Sequence, residues 1–543
     1  MIRHLIELLM GGRPGVAPAQ PAPAPPWEWL RPHDPFAAAL LDGLWPSEEM
    51  SDVDRARLTT ALGQAAGDEA LRAELIAELH ELGPAAAGHD SGQRNLPGHR
   101  RAEHNLAASQ VRLGRLAADA RNVPIAGSGD FGVDTDCLRT SLLVVGPPGC
   151  GKTHGVAVPI AEHLVLQSLA NRVSVLVIDP KGDDFGFEGW FDHTIDPADP
   201  GTGFDLYGGA STPEEAADQL ASALLPAGVS ADKQYFMDAS RNTIYACLDL
   251  AWKTVKRWPT LRELLRLMRI DEGDTQAVNN LAGGKAANTP AGKEFIARRK
   301  RQASGKVDPA ASAVERLSLL DRPNLHRLFD PLKKEHKFSM GDINRPIRVR
   351  MALPEARMPE TTRILARLAM AQFTHVTSSP GTNRGIFKGL VVEEAGRFID
   401  DYTARALQRV RSNNAGLVLL AQSLGDFPDE LLPTVFTSAG GKFVFPGVDP
   451  DGAEQFSRFW GEQEVSEFTR TRTRSASTSY DNWNLPIGRT ESQSIGVQHS
   501  KRTEALWSPG ELSAEIPLGH CVAQLSRSNG ARTPPVLVNL REK

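Results

Sequence analysis

An α/β fold, with a mostly parallel central sheet, an inserted all-α domain and an N-terminal helical region, is what this 543-residue sequence predicts. Three observations carry it. Short apolar runs at 141–145, 173–178, 389–392 and 416–421 alternate with helical patterns, and a glycine-rich turn or a polar residue follows each run directly. Strands alternating with helices pair in parallel, because a parallel crossover needs a helix's length of chain. From about 233 to 334 the strand pattern gives way to helical periodicity alone, and residues 36–121 also read as helical.

The first apolar run leads into GPPGCGKT, residues Gly146, Pro147, Pro148, Gly149, Cys150, Gly151, Lys152 and Thr153, and then into a helical pattern. Strand, glycine-rich turn and helix form the context in which this spacing makes a phosphate-binding P-loop. Glycines let successive N–H groups turn toward the phosphates, and the helix N-terminus adds partial positive charge. Lys152 is placed to reach the β- and γ-phosphates, and the Thr153 hydroxyl to ligate Mg²⁺. Cys150 reads as a small filler.

Hydrophobic residues make up 41% of the chain, enough for several packed domains, and the formal net charge is −5. No global basic field draws the molecule to nucleic acid, so such a site must be a local patch. The four cysteines, at 137, 150, 247 and 521, form no C-x-x-C pair, which argues against a disulfide framework or a zinc site. No apolar run reaches the ~18 residues needed to cross a bilayer. The expectation is a cytoplasmic protein whose membrane contact, if any, is peripheral or made through a partner. Ile2, Leu5, Ile6 and Leu9 would share one face of a short helix, read either as a docking element or as a frayed terminus.

The expected domains follow in order. Residues 1–35 are an N-terminal tail and Pro/Ala-rich linker, and 36–122 a helical accessory region including a helix at about 100–121. Residues 123–255 form the first part of the nucleotide-binding domain, 256–334 the all-α insert, and 335–543 the second part. Residues 253–334 carry 18 Lys/Arg against 9 Asp/Glu, densest at 298–301, which reads either as a polyanion-sensing surface or as an ordinary solvated one. The Ser/Thr/Arg-rich stretch 464–508 places Arg470, Arg472 and Arg474 on one face if it is a strand. It reads as a hairpin contacting phosphate or as a surface loop without fixed structure.

Two apolar runs end in acids that suit Mg²⁺. VLVID ends in Asp179, while GLVVEE supplies Glu393 and Glu394 together. A metal-side carboxylate and a second one that orients water are both needed, so the pair is favoured and Asp179 is the weaker candidate. The next strand, GLVLLAQS, ends in Gln422, either a γ-phosphate sensor or a strand cap. The helix before it carries Arg405, Arg409 and Arg411, read as a solvated face or as the source of an arginine finger for a neighbouring subunit.

Taken in order, GPPGCGKT, VLVIDPKGD, GLVVEEAGRF, RSNNAGLVLLAQS and KFVFPGVDPDGAEQFSRFWG resemble the type IV secretion coupling proteins of the TraG/TraD family, whose core is similar to the FtsK and HerA translocases. The resemblance spans about 140–540. It implies a RecA-like P-loop ATPase that uses ATP and Mg²⁺, assembles as a homo-hexamer and moves DNA, or a relaxase–DNA cargo, toward secretion-channel proteins. By motif, Glu394 matches the catalytic glutamate, Gln422 the sensor and Arg411 the trans-acting arginine. Two features depart from the family. Glu393 stands where Asp is usual, which implies a metal contact adjusted through water and slow hydrolysis, and the family's N-terminal transmembrane helices have no counterpart here. The alternatives are a soluble FtsK/HerA-like double-stranded DNA motor and a nucleotide-gated cargo receptor with little hydrolysis.

Overall fold

The computed structural model describes residues 24–89, 93–119, 121–122, 129–225, 231–269, 276–281, 286–303, 308, 310–330, 337–484 and 486–542. Residues 231–234, 303, 465–470 and 497–501 are described by backbone alone. The expected helix at 1–10 and most of the Pro/Ala stretch lie outside the described residues. Contacts divide the chain into two compact units, one ending at Arg94 and the other beginning at Asn95.

The first unit is helical, with helices Pro35–Leu44, Asp52–Gly67 and Glu69–Glu81. Ser51 and Asp54 form a reciprocal capping box, and Asp34 and Asp68 cap the other two helices. Trp27, Leu30, Leu41, Leu58, Leu62 and Leu79 close a small core of their own. Arg57 is fully buried inside it and donates to Asp54 at 2.8 Å and to the Ala85 carbonyl at 2.7 Å.

The second unit is built on a twelve-stranded sheet. Its strands are β1 (His104–Asn105), β2 (Gln110–Leu116), β3 (Asp130–Asp134), β4 (Leu142–Val145), β5 (Val173–Asp179) and β6 (His193–Ile195). After a separate short pair, β7 (Gly203–Phe204) with β8 (Lys337–Phe338), come β9 (Arg348–Ala352), β10 (Phe387–Val392), β11 (Ala415–Ala421) and β12 (Gly441–Val444). A long hairpin, β13 (Glu462–Tyr480) and β14 (Pro486–Ala505), precedes β15 (His520–Gln524) and β16 (Val536–Asn539). The order β12-β4-β11-β10-β5-β9-β6 is parallel throughout, and β15, β16, β2, β1 and β3 extend it antiparallel beyond β12. Every residue of β4, β5, β10 and β11 is buried, as expected of parallel strands covered on both faces. This architecture bears out the expected α/β class with a mostly parallel sheet.

The expected helix at 100–121 is not there. Those residues form β1 and β2 and belong to the sheet-containing unit. Val111 and Leu113 point into the core with period two, and Gly114 lets β2 approach the Asn539 carbonyl, which a Cβ would meet at 2.2 Å. Ala- and Arg-rich composition suggested a helix; packing against the sheet edge overrides that propensity.

Residues 256–334, the expected insert, are helical where described, with Leu261–Met268, Gln276–Leu281, Pro290–Ala303 and Ala311–Ser318, after the helix Ala231–Val255. The insert's Leu264, Leu317 and Leu328 pack in the same continuous core as Leu176 and Val349 of the sheet. Within the densest basic cluster, Arg299 does not contribute to a basic surface. It is 1% exposed and donates to the Met268 carbonyl at 2.6 Å and to Asp308 at 3.0 Å, joining two helices of the insert. Residues 462–505 form a continuous antiparallel ribbon rather than a loop, exposed on both faces from Thr471 to the tip. Among the described residues no helix is long and apolar enough to cross a membrane.

Candidate functional site

The parallel strands end in register. Val145 of β4 lies opposite Ala421 and Val444, while Val392 of β10 lies opposite Leu419 and Ile178. The P-loop, the Glu393–Glu394 pair and Gln422 therefore emerge along one carboxyl edge, with β11 separating the P-loop strand from the acid-bearing strand. In open α/β sheets that edge, where strand order reverses around β4, is where ligands bind.

The P-loop turns through Gly149 (φ +76°) and Gly151 (φ +98°), conformations that L side chains rarely adopt. Gly146 donates to the Ala421 carbonyl at 3.2 Å, tying the loop's first residue to the end of β11. The Lys152 ammonium lies 3.4 Å from the Pro147 carbonyl, folded over the loop and 7% exposed. Thr153 begins a π-helical turn, Thr153–Ala157, that continues as the helix Val158–Leu169. Cys150 is buried, and burial pushes its thiol above the ordinary range, so it is a packed side chain and not a thiolate nucleophile.

The Thr153 hydroxyl donates to Glu393 Oε1 at 2.6 Å. This is a direct contact: the extra methylene of Glu393 carries its carboxylate to the hydroxyl itself. Lys181 lies 3.6 Å from the other oxygen, Oε2, and is itself bonded to Asp184 at 2.6 Å. Burial raises the Glu393 carboxyl above its usual range, partly offset by the Thr153 hydrogen bond and the Lys181 charge. Lys181 was not singled out from the sequence, although DPKG, the segment that carries it, was.

Glu394 sits in the left-handed region, φ 54° and ψ 37°, on a tight turn into residues 395–397. A glutamate held there costs roughly 1–3 kcal/mol, a strain typical of functional sites. The turn is fixed by packing, because a Cβ on Gly396 would lie 2.6 Å from the Asp426 Cβ. Gln422 Nε2 donates to Glu394 Oε1 at 2.8 Å, while Asp426 accepts from the Gln422 and Ser423 backbone N–H groups. Asp426, then, caps the end of β11, and the Gln422 side chain is directed at Glu394. Glu394 Oε2 is buried without a hydrogen-bond partner, with Arg397 Nε 4.0 Å away. Arg397 in turn pairs with Glu355 at 3.0 Å.

Asp179, the weaker metal candidate, is engaged by protein groups. It is completely buried, accepts from Gly182 N–H at 2.9 Å and Phe185 N–H at 3.2 Å, and pairs with Arg350 at 2.8 Å. Those bonds shape the DPKG loop and hold the carboxylate against Arg350. Arg411 is also apart from the site. It lies in the 3-10 turn Arg411–Asn413 that precedes β11, at the amino edge of the sheet, a seven-residue strand (about 23 Å) from Gln422.

The residues present suit a nucleotide with Mg²⁺. Two φ-positive glycines curl the loop backbone, a hydroxyl and a carboxylate adjoin where a hard cation would bind, and a second carboxylate keeps one oxygen unengaged. Among the described residues no cluster of three or more His, Cys, Asp or Glu side chains could hold a metal ion by itself.

No protein-family model matches the chain, and no curated protein matches it in sequence. Solved structures do match in fold. The bacterial conjugative coupling protein TrwBdeltaN70 in its unbound monoclinic form superposes with a TM-score of 0.52 at 17% identity, over 79% of this chain and 90% of that one. The plasmid coupling protein TrwB in complex with the non-hydrolysable ATP analogue ADPNP gives 0.51 at 16% identity, over 83% and 97%. TrwB in complex with ADP and Mg²⁺ gives 0.51 at 16%, over 79% and 90%. Carried by a sheet with the P-loop, two acids and a glutamine along one edge, the chain has the RecA-like fold of the coupling protein TrwB.

Proposed function

We propose that this chain is a Mg²⁺-dependent ATPase of coupling-protein type, which moves DNA or a relaxase–DNA cargo toward a type IV secretion channel. The observation that carries the ATPase reading is the pair of contacts Thr153–Glu393 and Gln422–Glu394, made by three adjacent strands at one edge. Mg²⁺ supplies charge neutralisation on the transferring phosphoryl group. Thr153 and Glu393 are the residues placed to hold it, Lys152 to bind the phosphates, and the loop glycines to present N–H groups to them.

Glu394 is the general base in this reading. Its Oε1 is held by Gln422, so Oε2 is the oxygen left to accept a proton from water, and the strained turn fixes its direction. Gln422 links the end of β11 to that base, so a change at the phosphates can be felt one strand away. Arg411 lies at the far edge, so as an arginine finger it would act on a neighbouring subunit's nucleotide, in a ring whose expected form is a hexamer. The exposed arginines Arg472, Arg474 and Arg489 of the hairpin and the basic positions Arg298, Lys300 and Arg301 of the insert are the surfaces offered for cargo.

A receptor with little hydrolysis is the second reading, motivated by Glu393, which stands where Asp is usual and whose carboxylate reaches the Thr153 hydroxyl directly. Turnover measured with and without single- and double-stranded DNA tests the two. DNA-stimulated hydrolysis that disappears in Lys152→Ala supports the motor. Tight ATP binding by wild type with no turnover under any condition supports the receptor and removes the motor reading.

A further inference from the structure

Away from the P-loop, a cleft of about 650 Å³ opens among the helices Pro213–Leu224, Ala231–Val255, Pro359–Ser378 and Asp401–Val410. Arg367 lines it and is 6% exposed. Its Nε has no hydrogen-bond partner, and the side chain makes no ion pair among the described residues. The Ser222 hydroxyl, lining the same cleft, is likewise buried and unpartnered. Arg405 and Arg409, one helical turn apart, are exposed along the cleft and also make no ion pair among the described residues.

A solvated basic helix face accounts for Arg405 and Arg409 but not for Arg367. Burying a guanidinium without a hydrogen-bonded counter-charge costs several kcal/mol. Asp400 is the carboxylate facing Arg367, but it is itself buried and accepts the Thr403 N–H at 2.9 Å, and it does not pair with the arginine. An oxyanion with several acceptor atoms offsets all three charges at once, which is what arginine forks bind best. The cleft also presents the carboxylates Asp218, Asp238, Asp400, Asp401 and Glu430, acceptors suited to hydroxyl donors. Those carboxylates oppose a nucleic-acid strand running across the opening, and the volume fits a small ligand.

We propose that this cleft binds a small phosphomonoester carrying hydroxyl groups, its phosphate held by Arg367, Arg405 and Arg409. The site does not overlap the P-loop or depend on ATP hydrolysis. The test uses the full chain carrying Lys152→Ala, which silences the P-loop, titrated calorimetrically with ribose 5-phosphate, inorganic phosphate, ribose and a single-stranded oligonucleotide. Ribose 5-phosphate binds more tightly than phosphate, and ribose alone does not bind. Adding Arg409→Ala weakens binding by about tenfold to a hundredfold, the range for one charge-assisted contact. Arg367→Met abolishes binding. Arg409 is on the surface, so its result stands whether or not Arg367→Met folds. The proposal is overturned if neither phosphate compound binds, if binding is unchanged by Arg409→Ala, or if only the oligonucleotide binds and loses affinity in these variants.

Discussion

At the carboxyl edge of the parallel sheet, Thr153 and Glu393 form one hydrogen-bonded pair and Gln422 and Glu394 another, both acids buried, on strands enclosed on both faces. In the hairpin, Arg472 and Arg474 stand exposed on β13, and Trp483 at the tip is 85% exposed. Both regions are rich in polar residues, and they hold them differently. At the edge the backbone is over-determined, so each side chain has one geometry and its loss is felt as chemistry or as a cavity. Along the hairpin each side chain meets mainly water and its cross-strand neighbour, so single losses cost little and only a partner gives the surface meaning.

The largest expected difference is in stability. Leu419 of β11 is fully buried, and Leu419→Ala should cost roughly 2–5 kcal/mol in denaturant unfolding. Replacing residues 464–503 by a short turn should shift the midpoint by only about 2 °C or less, because the removed strands pair chiefly with each other. A large loss on hairpin removal would break the contrast.

Acid sensitivity should separate the regions next. His163 on the P-loop helix is buried beside His104, and burial lowers its pKa from 6.5 to about 3. The unfolded chain therefore binds the extra proton first, and stability falls as pH drops from about 6.5 toward 3. Glu162, held below the usual range by the His104 and Arg101 contacts despite its burial, acts in the same direction at lower pH. His163→Leu should flatten the upper part of this fall in unfolding measured across pH, by roughly a few kcal/mol at its low end. Removing the hairpin should leave the curve unchanged.

Nucleotide binding and turnover give smaller terms. Lys152→Ala removes charge-assisted contacts to phosphate and should weaken ATP binding by about tenfold to a hundredfold in equilibrium titration. Gln422→Ala removes the donor to Glu394 Oε1 and should slow turnover by roughly tenfold while leaving ATP affinity near wild type, since Asp426 still caps β11. Trp483→Ala should change stability by less than about 0.5 kcal/mol.

Much of the sheet was legible in the sequence because parallel strands buried on both faces leave uninterrupted apolar runs; β4, β5, β10 and β11 were all located that way. The P-loop and the Glu393–Glu394 pair were legible because their chemistry demands residue types at fixed spacing. Other features depend on contacts between residues far apart in the chain. Whether Asp179 meets a cation or Arg350 is decided by a residue 171 positions away. The β2 strand was hidden by helix-favouring Ala and Arg flanking Val111 and Leu113, and its identity rests on Gly114 meeting Asn539. Arg299 looked like surface charge in a basic run, while its burial depends on Asp308 and the Met268 carbonyl. Lys181 carried a signal in DPKG, but its approach to Glu393 appears only once β5 and β10 pair.

Glu394 offers the most direct test. Glu394→Gln keeps the shape of the side chain and removes its capacity to take a proton, so ATP affinity should stay within about twofold while single-turnover hydrolysis falls by roughly 10²–10⁴. Wild-type hydrolysis that survives this change, or ATP affinity lost together with turnover, would contradict the assignment of Glu394 as the base.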